Sequence, residues 1–334
     1  MKLKLAFAGF RHGHILSLYE LARRHPAVEV VAAAENDPAA RQALARQVRF
    51  THESCERMLE EVECGAVAIG DYYARRGGLA IAALRAGRHV VSDKPLCISL
   101  AELDQIETLA RARGLKVGCM LTMRDSAPAL GLRELVREGS LGQLHAISFG
   151  GQHPLMLGSR PAWYFEPGKH GGTLNDIGVH AFDALPWITG LEFSTINAAR
   201  SWNAFAPQYP HFHDGGQVML TLSNGCGVLG DVSYFSPDRA GYSLPLYWRL
   251  TLWGREGVAE TSATAKEIHL ALAGDERMRA LPLPPGREGG YFQDFLADVE
   301  DRPGELDTGA VLRAARLALL IQRAADEGLR EVRL

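Results

Sequence analysis

Residues 3–14 read Leu3-Lys4-Leu5-Ala6-Phe7-Ala8-Gly9-Phe10-Arg11-His12-Gly13-His14. An apolar run ends on a glycine and gives way to a polar turn. Helical spacing then holds over 14–24. Strand, glycine turn and helix, in that order, are how a dinucleotide-binding fold opens. The same alternation continues outward. Apolar runs at 28–34, 66–69, 89–92 and 115–121 read as strands. Helical patterns at 38–47, 77–86 and 99–113 lie between them. Asp37 caps the second helix with Pro38 behind it, and Gly87 and Gly114 close the later two. Continuous apolar strands separated by helices predict a parallel sheet covered on both faces. Right-handed crossovers make that sheet doubly wound and Rossmann-like.

Near residue 122 the rhythm changes. A helix over 127–138 is followed by β-type segments at 143–151, 195–204, 216–222, 226–234, 247–253 and 258–261. Helical patterns interrupt at 176–188, 291–300 and 309–327, and 281–290 is a Pro/Gly connector. The expectation is an α/β chain of two parts. Residues 1–122 form the nucleotide-binding domain. Residues 123–334 form an α+β domain with a large, mostly antiparallel open sheet, its final helix packing back toward the first domain.

Composition narrows the function classes. A length of 334 residues suits about two domains. Lys plus Arg is 36 against 39 for Asp plus Glu, so nothing marks a nucleic-acid partner. The five cysteines, Cys55, Cys64, Cys97, Cys119 and Cys226, form no CxxC pair, which argues against a disulfide framework or structural zinc. Apart from His211-x-His213 no ligand spacing stands out, and no metal is expected. No signal core and no membrane-length apolar run is seen, so a cytoplasmic location is expected.

Four stretches carry chemistry. In the first turn, Gly9 takes the leading position of a G-x-G-x-x-G fingerprint, while Arg11 and His14 stand where glycines are usual. Phe10, Arg11 and His12 are the turn residues expected at the cofactor, and a guanidinium at 11 meets a phosphate directly. Glu35 ends the second strand, placed to grip a ribose hydroxyl and favour NAD, with Arg41 keeping NADP open. Ser92-Asp93-Lys94-Pro95 lies at the carboxyl end of the fourth strand, where ligands of open α/β sheets collect. In Gly171-Gly172-Thr173-Leu174-Asn175-Asp176-Ile177-Gly178-Val179-His180, Asp176 and His180 are four apart on one expected helix face. The paired glycines leave room for a ligand or a neighbouring backbone.

The order of these pieces resembles the Gfo/Idh/MocA oxidoreductases: nucleotide turn, strand-end acid, D/E-K-P, then GG-x3-D-x3-H. The resemblance runs over essentially the whole chain and includes Ala82-Ala83-Leu84-Arg85-Ala86-Gly87-Arg88-His89-Val90 before the D-K-P. It implies an NAD(P)-dependent enzyme acting on a carbinol or carbonyl of a sugar, cyclitol or related polyol. By the resemblance Lys94, Asp176 and His180 fall on catalytic positions, and a homodimer or homotetramer forms through the C-terminal sheet. Asp93 replaces the usual Glu. Asp71-Tyr72-Tyr73 and Arg76 replace residues of a cofactor-facing loop, which places Asp71, Asp93 and Lys94 beside the cofactor.

The stretch 152–170 is rich in ring and cationic side chains. His153, Trp163 and Tyr164 from it, with Arg124 and Asn175, are the expected substrate contacts. Two alternatives share the fold. One is an NAD-retaining glycosidase or lyase that oxidises its sugar transiently. The other is a non-catalytic nucleotide-binding sensor.

Overall fold

The computed structural model describes residues 2–334. Its first stretch alternates as the apolar runs require: β1 (Leu3–Ala8), α1 (Ile15–Arg24), β2 (Val28–Ala34), α2 (Pro38–Leu44), α3 (Cys55–Glu61), β3 (Ala66–Ile69), α4 (Tyr73–Arg85), β4 (His89–Ser92), α5 (Leu100–Arg113) and β5 (Val117–Cys119). The five strands lie in the order β2-β1-β3-β4-β5 and every pairing is parallel. All four residues of β3 are buried, as a sheet covered on both faces demands. Caps set the helix starts. The Asp37 carboxylate accepts the Ala40 N–H at 2.8 Å, and Ser99 caps α5, which stops at Gly114 in a left-handed conformation.

The following stretch holds α6 (Ala127–Arg137), β6 (Leu144–Pro154), α7 (Val179–Thr189), β7 (Phe193–Trp202), β8 (Gly215–Leu222), β9 (Gly227–Ser236), β10 (Arg249–Gly254), β11 (Gly257–Thr261), β12 (Glu267–Leu272) and β13 (Arg279–Pro282). The chain ends with α8 (Gly290–Val299), α9 (Thr308–Glu327) and β14 (Arg330–Arg333). Nine strands form one sheet, β13-β12-β11-β10-β6-β9-β8-β7-β14, antiparallel except for β6 beside β9. Strand residues alternate in burial. Ile147, Phe149, Val218, Leu220, Leu250 and Leu252 point to a packed face, and Phe149 and Phe182 of α7 meet edge to face at 6.1 Å. Met219, Leu229 and Trp253 are exposed at 48, 59 and 52%.

The chain divides into two compact units. One comprises the chain up to Met120 with Pro161–Gly171 and Gly289–Arg316; the other comprises Leu121–Arg160, Gly172–Glu288 and Leu317–Leu334. In the first unit α8 and the start of α9 complete the sheet edge. Phe295 packs where a side chain on Gly118 would stand, and Thr308 Oγ1 accepts the Val117 N–H at 2.9 Å. Among the described residues no helix is long and apolar enough to cross a membrane. The parallel sheet and the mostly antiparallel open sheet are the two expected layers. Three elements are additions: α3, β12 and the largely exposed edge strand β13.

Candidate active site

In the first unit the glycine turn is held from below. Gly9 has φ +82°, and a β-carbon there would stand 2.6 Å from the Asp71 Cβ. Only glycine accepts both conditions. The Phe10 N–H donates to Glu35 Oε2 at 2.6 Å and the Asp37 N–H to Oε1 at 2.7 Å. Glu35 is fully buried, which pushes its carboxyl up, while the two N–H donors oppose that. It therefore staples the first turn to the end of β2, with both oxygens committed to backbone. Asp37 beside it is the more open carboxylate, 3.2 Å from Arg11 Nη1. The Ala40 N–H, with Arg11, holds Asp37 below its ordinary range. Arg41 Nη1 donates to the Glu35 carbonyl at 2.7 Å.

The turn fits a dinucleotide phosphate. A β-carbon on Gly13 would meet nothing within 4 Å, so the backbone ahead of α1 is open to close approach. Arg11 is partly exposed alongside it. Asp71 is buried. It accepts the Tyr72 N–H at 2.7 Å and lies 3.2 Å from Arg75 Nη1, and burial pushes its carboxyl up.

At the end of β4 a fully buried guanidinium organises the loop. Arg76 donates through Nε to the Asp71 carbonyl at 2.7 Å, through Nη1 to the carbonyls of Lys94 and Pro95, and through Nη2 to Asp93 Oδ2 at 3.1 Å. The peptide between Lys94 and Pro95 is cis. His12 Nδ1 lies 2.5 Å from Asp93 Oδ2. Burial drives the His12 imidazole down to about 3, with Asp93 opposing. Burial alone would raise Asp93, but His12 and Arg76 reverse it and hold that carboxyl well below its usual range. Lys94 is buried, its Nζ 6.0 Å from the Tyr73 ring centroid. Trp163 and Tyr164 are buried against the same turn. Trp163 Nε1 donates to the Arg11 carbonyl at 3.2 Å, and the Tyr164 and Tyr73 hydroxyls bond at 2.8 Å.

In the second unit Leu174–Gly178 forms a π-helical turn, and α7 begins only at Val179. Asp176 and His180 thus do not share one regular α-helix, as the four-residue spacing had led us to expect. The wider turn starts where Gln322 Oε1 accepts the N–H groups of Leu174 (2.9 Å) and Asn175 (3.3 Å). That glutamine fills the space beside Gly172, where a β-carbon would stand 2.1 Å from Gln322 Cδ. Ile98 similarly fills the space beside Gly171. The paired glycines thus make room for side chains of the protein itself, and not for a ligand or a backbone.

Asp176 and His180 are both buried. The Tyr234 hydroxyl donates to Asp176 Oδ2, and His180 meets Trp248 edge-on at 5.8 Å. His153 stands edge-on to Tyr242 (5.3 Å) and Tyr247 (5.4 Å). Arg124 is clamped by Asp183 through Nε at 2.8 Å and Nη2 at 2.6 Å. Asn175 is buried on the π turn. Sequence reading did not single out Tyr234, Asp183 or Trp248, and it noted Arg76 only as a departure. Arg76 carried a signal: a cation one turn into a helix otherwise buried on that face.

Comparisons fit this architecture. Residues 4–120 match the oxidoreductase family with NAD-binding Rossmann fold, and residues 130–260 match the GFO/IDH/MocA C-terminal domain. An Amycolatopsis mediterranei protein, provisionally named a UDP-kanosamine synthase oxidoreductase subunit, is 32% identical over 174 residues. The match covers 51% of this chain and 47% of that protein, so the chain spans about half of its length. The dTDP-3,4-didehydro-2,6-dideoxy-alpha-D-glucose 3-reductase of Streptomyces antibioticus is 28% identical over 254 residues, covering 72% of this chain and 71% of its own. A solved levoglucosan dehydrogenase in complex with NADH and levoglucosan shares the fold, with TM-score 0.80, 20% identity and coverage of 98% and 97%. Two matched domains in the expected order, on a parallel sheet followed by an open nine-stranded one, place the chain in the Gfo/Idh/MocA oxidoreductase family, with its NAD-binding Rossmann domain and C-terminal domain.

Proposed function

We propose that the protein is an NAD(P)-dependent dehydrogenase or reductase acting on a CH–OH or C=O group of a sugar, cyclitol or related polyol. Lys94, Asp176 and His180 are its catalytic set. The observation that carries the reading is the Arg76 clamp. A buried guanidinium bound to Asp93 and to the carbonyls of Lys94 and Pro95 fixes the Lys94 loop at the carboxyl edge of the parallel sheet. The sugar-active names of relatives support the substrate class.

In this reading Gly9, Phe10, Arg11 and His12 would hold the phosphates of the cofactor, Asp71 and Asp93 would support its nicotinamide side, and Glu35 would shape the ribose end. A nicotinamide cofactor held by these residues would supply hydride-transfer chemistry. The His180 imidazole takes the proton of the substrate hydroxyl, and Lys94 Nζ hydrogen-bonds the same oxygen as charge develops on it. Asp176, itself held by Tyr234, orients His180 or an adjacent hydroxyl. Arg124, His153, Trp163, Tyr164 and Asn175 shape the substrate side. Pairing through the open nine-stranded sheet and a cytoplasmic location belong to the same reading.

The test starts with titrations of NAD(H) and NADP(H), followed by a polyol panel read at 340 nm. Lys94→Ala and His180→Ala should each lower turnover by about 10²-fold or more while nucleotide binding persists. Near-normal turnover in both variants sinks the assignment.

A further inference from the structure

His12 and His14 flank Gly13, ahead of α1, and their rings lie 4.3 Å apart. Both approach the same buried carboxylate. His12 Nδ1 is 2.5 Å from Asp93 Oδ2 and His14 Nδ1 is 3.5 Å from Asp93 Oδ1. One donor atom from each of the three residues falls within 4.8 Å of the others, the one such group of His, Cys, Asp and Glu among the described residues. A second observation points to a ligand. Asp93 has no exposed surface, and its Oδ1 has no hydrogen-bond partner. Oδ2 takes both His12 and Arg76, while Oδ1 has the exposed His14 ring at 3.5 Å, too far for a good hydrogen bond. An orphaned buried carboxylate oxygen is costly and calls for an occupant.

We propose that His12, His14 and Asp93 bind one zinc-class divalent cation at the carboxyl edge of the parallel sheet. Two imidazoles and a carboxylate are the donors such ions take, at about 2.0–2.2 Å, with a fourth position left open. The half-exposed His14 side chain is free to move in, and His12 must turn its Nδ1 away from Asp93 Oδ2, now 2.5 Å distant, to admit the ion beside Oδ1. Its outer partners are already built. Arg76 holds the Asp93 oxygen that the metal does not need, and Tyr73 stands 3.3 Å from His12 Nε2. A metal on Nδ1 displaces the imidazole hydrogen to Nε2. There the Tyr73 oxygen accepts it, and the Tyr73 hydroxyl turns to Tyr164, so no proton is lost from the site. Arg76 already balances the Asp93 charge. The bound cation therefore keeps its own charge for the open position, which takes an anionic oxygen such as a phosphate.

The reading does not depend on the oxidoreductase proposal and is tested apart from it. Untagged full-length protein is stripped with chelator and titrated with zinc by calorimetry, then with cobalt by visible absorption. One equivalent should bind saturably, and cobalt should give the bands of a low-coordinate site. His14→Ala, at an exposed ring, should weaken zinc by about 10²-fold or more, at least the loss that removing an outer partner causes. Asp93→Asn should abolish the cobalt bands, and if that variant misfolds, His14→Ala alone decides. No saturable binding below about 0.1 mM zinc, or His14→Ala binding as the parent does, overturns the proposal. NADH fluorescence on the same stripped sample reports nucleotide binding separately.

Discussion

At the scale of single residues, one buried guanidinium gathers several groups of the first unit around it. Arg76 is fully buried and touches Asp71, Asp93, Lys94 and Pro95, and its Cζ lies 4.6 Å from the Tyr73 ring centroid. Removing it leaves Asp93 buried with one guanidinium fewer. Breaking a buried pair from one side costs about 3–5 kcal/mol, because the remaining charge loses its compensation. Arg76→Ala should lose about that much in urea unfolding. Arg76→Lys should fall between, since one ammonium cannot reproduce a fork spread over several acceptors. A loss under about 1 kcal/mol for Arg76→Ala would show that the loop is held by other means. Glu35 teaches the complementary lesson. Its spacing from Gly9 was legible, but the use of both oxygens on the N–H groups of Phe10 and Asp37 was not. Spacing places a side chain at the end of a strand; it does not say whether that side chain faces a ligand or the backbone beside it.

At the scale of elements the π turn ahead of α7 is the sensitive joint. Gly172 has φ +92°, and Gln322 occupies the space of its absent side chain while accepting the N–H groups of Leu174 and Asn175. Gly172→Ala meets a positive φ and a filled site at once. Overpacking costs about 1–3 kcal/mol, and the backbone conformation adds to it. We expect a clear fall in thermal midpoint, and an unchanged midpoint would mean that Gln322 simply moves aside.

The helices and strands around this joint were largely readable. Apolar runs gave β1 to β4 closely, and the Asp37 cap fixed the start of α2. The π turn was not readable, because a four-residue spacing of Asp and His looks the same on either kind of helix. Gln322, which accepts its first N–H groups, lies 148 residues from Leu174. The edge strand β13 escaped for another reason. Its four residues, Arg-Ala-Leu-Pro, are mostly exposed, so burial imposes no alternation on them.

At the scale of the whole chain the nine-stranded sheet presents a face with exposed apolar side chains. Met219 and Leu229 sit opposite each other across β8 and β9, and Trp253 on β10 adds a third exposed apolar group. Such a patch on a sheet marks an association surface. If pairing runs through it, Leu229→Glu should reduce the mass seen by light scattering to that of one chain without lowering thermal stability by more than a few degrees. An unchanged mass would exclude this face. The candidate site was legible as a set of positions, because each motif is local in sequence. Its chemistry was not, because Asp183 and Tyr234 act through partners 59 and 58 residues along the chain.

The closing of the parallel sheet at β5 carries a consequence for how the protein is made. Val117 donates to Thr308, 191 residues later, and Phe295 packs on Gly118. A chain emerging from the ribosome finishes the five strands early and then waits. Most of the other unit must be synthesised before α8 and α9 arrive. Over that interval the last strand presents an unsealed edge and an uncovered apolar face, the kind of surface that pairs with other chains. The nascent protein thus passes through a long stage in which its nucleotide-binding half is drawn but not shut. The segment from Gly290 onward supplies the latch.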